Sequence, residues 1–242
     1  MSGFEKFGLG QNHSSLTKGK NTRWKPEKGK YRVSFVGITG IENKNPIFDV
    51  SKSQINVTPV ERLYVQGVGY FVDKGVEFQK LAGGKKGKLY LGVTVCFWPV
   101  NSTNGQLDKN RLADGDFEVK NWVMGQDKFN QIASIHQEYP LIEHDLKIDC
   151  TDAQFHKMNF SPCRDSIFKK LKEDKTDMFN SVVEIAQVVA SKIDTDMAQD
   201  LTLEQIREKL TGESSSSSST PTSFNLGGSS DFEDVLDNVL DD

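Results

Sequence analysis

Between Lys88 and Val100 the chain alternates almost without a break. Leu89, Leu91, Val93, Val95 and Phe97 form one apolar file, Tyr90, Gly92, Thr94, Cys96 and Trp98 form the other, and Pro99 closes the run. Successive side chains on an extended backbone point to opposite faces, so alternation this strict demands a β-strand with one face on a core. Flanking segments obey the same period. Lys30–Val36 sets Tyr31, Val33 and Phe35 against Lys30, Arg32 and Ser34, and Arg62–Gln66 sets Leu63 and Val65 against Arg62, Tyr64 and Gln66. Gly67-Val68-Gly69 reads as a bend or bulge within the same strand region. Asn101–Asp116 is a polar loop, Phe117–Val123 a strand and Asp127–Gln137 a helix; Leu146–Cys150 and Gln154–Phe160 form a last hairpin about Thr151-Asp152-Ala153. Short strands with one interior helix predict a mainly β (α+β) chain, with an OB-like Greek-key barrel over residues 23–163.

After Pro162 the period becomes helical, and residues 164–212 read as a helical subdomain. Arg164–Glu173 is one helix. Met178, Val182, Ile185, Ala186, Val189 and Ile193 mark a second, and Thr202-Leu203-Glu204-Gln205 is a capping box opening a third that Gly212 ends. Three further segments lack a core pattern. Residues 1–22 read as a flexible basic arm, 213–230 as a Ser/Gly-rich linker and 231–242 as an acidic tip. In that tip Phe232, Val235, Leu236, Val239 and Leu240 recur at helical intervals among aspartates, the pattern of a segment that folds as an amphipathic helix on a partner protein. No run of 18 apolar residues exists, Met1–Lys6 carries no apolar leader, and Cys96, Cys150 and Cys163 are odd in number. No membrane association is expected, and a reducing cytoplasm is.

The formal charge of −4 conceals a segregation. Residues 1–100 hold 16 Lys+Arg against 7 Asp+Glu, a balance of +9, and 13 of the 23 aromatic residues; residues 231–242 hold six acids and no base. Single-stranded nucleic acid needs cations for its phosphates and flat rings for its unstacked bases, each stacked base being worth about 1–3 kcal/mol whatever its identity. The file opposite the core carries Tyr90 and Trp98 about Gly92, whose missing side chain leaves room for a base. Neighbouring polar files add Lys30, Arg32, Arg62 and Tyr64. Arg23, Trp24 and Lys25 lead in, Lys85, Lys86 and Lys88 border the strand, and Lys120 and Trp122 share a face further on. Basic residues interleaved with aromatics in this way point to binding of unpaired DNA.

Competing chemistries find less support. Lys80–Lys88 resembles a phosphate loop but has Ala82 and Leu89 where that motif needs Gly and Ser or Thr, so it reads as a basic turn. His136, His144, Cys150, His156 and Cys163 fall within 28 residues, yet five to seven residues separate successive members and no Cys-x-x-Cys pair occurs. That spacing argues against structural zinc. No nucleophile elbow or metal-loop pattern is present, so neither an enzyme nor a cofactor is expected.

The tail, Ser214–Ser219 and a linker followed by Asp-Phe-Glu-Asp-Val-Leu-Asp-Asn-Val-Leu-Asp-Asp, resembles the end of the replicative single-stranded-DNA-binding (helix-destabilising) proteins of T-even-type tailed phages. Trp24-Lys25-Pro26 leading to Tyr31–Phe35, Leu89–Asn101 and Val119–Ile132 are similar to strands of their barrel. The family's zinc subdomain has no counterpart in this chain. The resemblance implies a protein that coats single strands in replication, recombination and repair in the cytoplasm of an infected bacterium. It also implies self-association on DNA through the amino-terminal arm, and a tail that competes with DNA and recruits replication and recombination proteins. The alternative is a transcription or replication adaptor acting through the acidic tail alone.

Overall fold

One strand organises the molecule. The computed structural model describes residues 21–36, 55, 57–101, 103–151, 157–174 and 176–211. Its strands are β1 (Gly29–Phe35), β2 (Thr58–Val65), β3 (Gly69–Val72), β4 (Lys88–Trp98), β5 (Glu118–Gly125), β6 (Leu146–Cys150) and β7 (Met158–Pro162). The helices are α1 (Val76–Leu81), α2 (Lys109–Ala113), α3 (Gln126–Glu138), α4 (Ile167–Glu173), α5 (Asp177–Ala190), α6 (Ile193–Met197) and α7 (Leu203–Thr211). The seven strands make one antiparallel sheet in the order β3-β2-β4-β1-β6-β7, with β5 also on β4. Eleven residues long, β4 has room for three partners. β5 lies along one edge from Tyr90 to Phe97, while the other edge takes β2 at Lys88–Gly92 and then β1 at Val95–Trp98.

Leu91, Val93, Val95 and Phe97 face the main core with Val33, Phe35, Trp122 and Met124, and Phe129 and Ile132 of α3 close it. The second file of β4 is covered as well, contrary to the one-core-face expectation: every residue from Leu91 to Trp98 is buried. Cys96, Trp98 and Val119 pack under Val182, Ala186 and Val189 of α5 and Ile167 of α4. The helical segment therefore lies on the sheet rather than beside it. Gly92 makes this close approach possible: a Cβ there would stand 2.6 Å from Met197 Sδ and 3.0 Å from Ile193 of α6. The room expected for a base at Gly92 is filled by this helix. A third cluster, Leu63, Val68, Phe71, Phe78 and Ile206, sits under α1 and α7.

Local chemistry accounts for the ends of several elements. Gly67 and Gly69 take φ of 84° and 87°, the left-handed region that suits glycine, and between them the chain reverses. The expected bulge is thus a hairpin turn that sets Tyr64 opposite Tyr70. The Thr202 capping box forms in both directions, with Thr202 N–H donating to Gln205 Oε1 at 2.8 Å and Gln205 N–H to Thr202 Oγ1 at 3.3 Å. The expected loop at 101–116 carries α2, capped by Asp108. The last hairpin pairs Leu146–Cys150 with 158–162 rather than 154–160; residues 152–156 lie outside the described residues. Among the described residues no helix is long and apolar enough to cross a membrane.

Candidate nucleic-acid interface

Strand register gathers most of the singled-out side chains on one sheet face. Arg32 stands opposite Trp98, Arg62 opposite Lys88, and Tyr64 opposite Tyr70. Alternation along β4 puts Lys88, Tyr90 and Trp98 on the same side. The helices then divide this face into a covered half and a partly open half.

In the covered half Trp98 is 3% exposed and its indole N–H donates to Ser34 Oγ at 2.7 Å. Arg32 donates from Nε to Asp145 at 2.8 Å and from Nη2 to Asp165 at 3.2 Å. The fully buried Asp145 also accepts from the Ser34 hydroxyl and the Ile167 N–H. Burial works against the charge of Arg32, but the charge and hydrogen bond of Asp145, with Cys163 and Asp165 adding to them, together raise the guanidinium above its ordinary value. Arg32 thus joins β1, β6 and α4, and the phosphate role expected of it is taken by carboxylates.

Two more expected stacking rings lie on the opposite face. Trp24 and Trp122 are 8% and 1% exposed, 5.1 Å apart edge to face, with Phe97 4.9 Å and Tyr31 5.3 Å from Trp24. Trp24 is pinned there by its backbone N–H on Asn121 O at 2.8 Å. All three tryptophans are therefore core residues, and the stacking role expected of them is corrected. Lys120 donates to Asn21 O and pairs with Glu118 at 3.1 Å; Lys30 pairs with Asp149 at 3.1 Å across β1 and β6. Neither shares a patch with the other lysines through these contacts.

The partly open half is built from β2, β3 and the start of β4. Tyr64, Tyr70 and Tyr90 are half-buried, and Tyr64 and Tyr70 lie 5.1 Å apart. The Arg62 guanidinium sits between two of these rings, 3.8 Å from the Tyr70 centroid and 3.6 Å from that of Tyr90. Its Nη1 donates to Met197 O at 2.8 Å, while its Nε is buried without a partner. Burial, then the charge of Arg23, pull Arg62 below the ordinary arginine value. Opposite Arg62 is the exposed Lys88, and Lys85 and Lys86 are exposed in the turn before it, as is Lys25 in the lead-in. Asp73 shapes that turn, accepting the N–H groups of Gly75 and Gly87 at 2.8 Å each and Gln79 Nε2 at 2.9 Å. These donors hold its carboxyl below the usual range against the opposing effect of burial. A Cβ on Gly87 would come 2.8 Å from Asp73.

Tyr70 and Asp73 were not singled out from the sequence. The Gly-Val-Gly triplet held the signal for Tyr70, since a two-strand reversal there places it beside Tyr64. Phe232, Val235, Leu236, Val239 and Leu240, expected from the sequence to bind a partner, lie outside the described residues, as does His156. His136 Nδ1 accepts the Leu141 N–H at 2.9 Å and His144 Nδ1 lies 3.0 Å from the Cys163 carbonyl. Cys150 is in the main core. Among the described residues no three His, Cys, Asp or Glu side chains form a metal-holding group. Comparison with protein-family models, with curated proteins and with solved structures returns no match.

Proposed function

We propose that this chain binds single-stranded DNA without sequence preference, through the partly open half of the sheet face. One observation carries the reading: Tyr64, Tyr70 and Tyr90 lie with Arg62 on three adjacent strands, bordered by Lys85, Lys86 and Lys88. Rings beside a cationic rim are what unpaired bases on a phosphate backbone require. Phosphates run along the lysine rim while bases stack on the tyrosines. The platform is smaller than the sequence implied, because three indoles are spent on the core.

The finer architecture that accompanies this reading is an OB-like Greek-key barrel, supported by the way β4 carries β5 on one edge and β2 then β1 on the other. The resemblance of the tail supports placement with the phage helix-destabilising proteins, acting in replication, recombination and repair in the cytoplasm of the bacterial host. On this reading residues 231–242 compete with DNA for the basic face and recruit replication proteins through Phe232, Leu236 and Leu240, while residues 1–22 mediate self-association.

The test is a titration of labelled oligo-dT with the full chain across salt concentrations. Affinity falls on a log–log plot by about 0.7 per phosphate neutralised, so a rim of three lysines contributes about −2 to the slope. Intrinsic tryptophan emission changes little on binding, because the indoles are buried. Absence of salt-dependent binding overturns the proposal and leaves the adaptor alternative standing.

A further inference from the structure

We infer that the gap between Tyr70 and Tyr90, filled in this structure by the Arg62 guanidinium, is a slot for one unstacked nucleobase, with Arg62 as its placeholder. This rests on the proposed DNA binding and assigns it a specific locus. A guanidinium is planar and π-faced, and it fills the wedge between the two rings, 3.8 and 3.6 Å from their centroids, which stand 6.5 Å apart and tilted by 57°. The placement is only partly compensated, by a side-chain hydrogen bond with Tyr90 that works against the burial. Arg62 is 4% exposed, its Nε has no acceptor, and Arg23 repels it. Among the described residues no ion pair links it to a carboxylate, whereas Arg32, on the same face, has two. Its bond to Met197 O ties its polar end to the backbone.

A base entering from the half-exposed tyrosine edge takes the cation's place in the wedge, stacking on one ring while the other, tilted by 57°, closes over its edge. Arg62 then turns toward Lys88, its cross-strand neighbour, and exchanges the rings for a phosphate on the lysine rim. The exchange keeps the wedge filled and gives the orphaned Nε an acceptor. It also explains how a slot in a protein that meets no DNA avoids standing empty.

The experiment uses the full chain and oligo-dT carrying a single 5-iodouracil, irradiated in the complex, with the adduct mapped by mass spectrometry. Adducts on Tyr70 or Tyr90 are expected. Arg62→Ala is titrated in parallel: with no cation to displace, affinity at high salt rises roughly tenfold. The log–log salt slope becomes shallower by about 0.7 as the transferred phosphate contact is lost. Adducts confined to other residues, with binding intact, overturn the slot and leave the function standing. An Arg62→Ala chain that melts earlier while affinity and slope stay unchanged also overturns it, since Arg62 is then only a fastening for Met197. Failure of the unaltered chain to bind removes both. Should Arg62→Ala not fold, the adduct position in the unaltered chain decides alone.

Discussion

Arg32 and Arg62 stand on the same face of the same sheet, each opposite a residue of β4, and they end in opposite circumstances. Arg32 meets Asp145 and Asp165, and the indole beside it is sealed by α5. Arg62 meets two tyrosine rings, and Lys88 rather than a carboxylate stands opposite it. A buried arginine paired with carboxylates is a joint between elements, because removing either partner strands a charge. A buried arginine stacked on half-exposed rings has no such lock. What covers a face therefore decides whether basic and aromatic residues become core or contact surface, and alternation along the strand carries no information about the cover.

The sharpest way to break this contrast is to truncate the ring of the covered half. Trp98→Ala removes a side chain that is 3% exposed and leaves Ser34 Oγ without its indole donor. Stability should fall by about 3–5 kcal/mol in chemical denaturation, the range for a large aromatic deleted from a core. Oligo-dT affinity of the folded fraction should stay within twofold of the parent. A variant with normal stability and weakened DNA binding would mean that Trp98 stacks on bases and that the covered half is open in solution.

Gly92→Ala tests the boundary between the halves. A base-binding cleft would lose affinity from the added methyl, whereas a helix seat would lose stability. The Cβ would meet Met197 Sδ at 2.6 Å and Ile193 at 3.0 Å, so these side chains of α6 must give way. Overpacking of this kind costs about 1–3 kcal/mol. The expected result is a lower melting temperature with unchanged salt dependence of binding; the reverse would restore the cleft at Gly92.

How much of this was legible follows from which forces are local. The β4 alternation, the α3 and α5 periods and the Thr202 capping box are written in neighbouring residues, and the elements formed there, except that the helix expected to run on to Ile193 ends at Ala190 and Ile193 opens α6. The membership of the polar face was readable along β1, β2 and β4, because register preserves the side of a strand, but not for Trp24, Lys120 and Trp122, which fall on the other side. The seating of 177–197 on that face was not, since it depends on contacts far apart in the chain: Asn121 Nδ2 donates to Val189 O and to Asp196, and Thr22 Oγ1 to Asp196. Likewise Arg32 and Asp145 are 113 residues apart, and nothing near Arg32 announces its carboxylates. Tyr70 was missed for a different reason. A glycine-rich triplet permits either a bulge or a reversal, and only the pairing of β2 with β3 chooses between them.

The smallest effects belong to the rim. Lys85 and Lys86 are exposed, and substitutions at such positions leave stability within about 0.5 kcal/mol. Replacing both with alanine should make the log–log salt slope of oligo-dT binding shallower by about 1.4, two phosphates at about 0.7 each, while affinity extrapolated to high salt stays nearly constant because the tyrosines are untouched. The Asp73 carboxylate fixes the turn through Gly75 and Gly87, so the lysines are presented in a set position rather than on a loose loop. A double variant whose slope matches the parent would show that phosphates pass elsewhere on the molecule. The partly open half would then keep its tyrosines and its stacked arginine but lose its claim to the backbone of the nucleic acid.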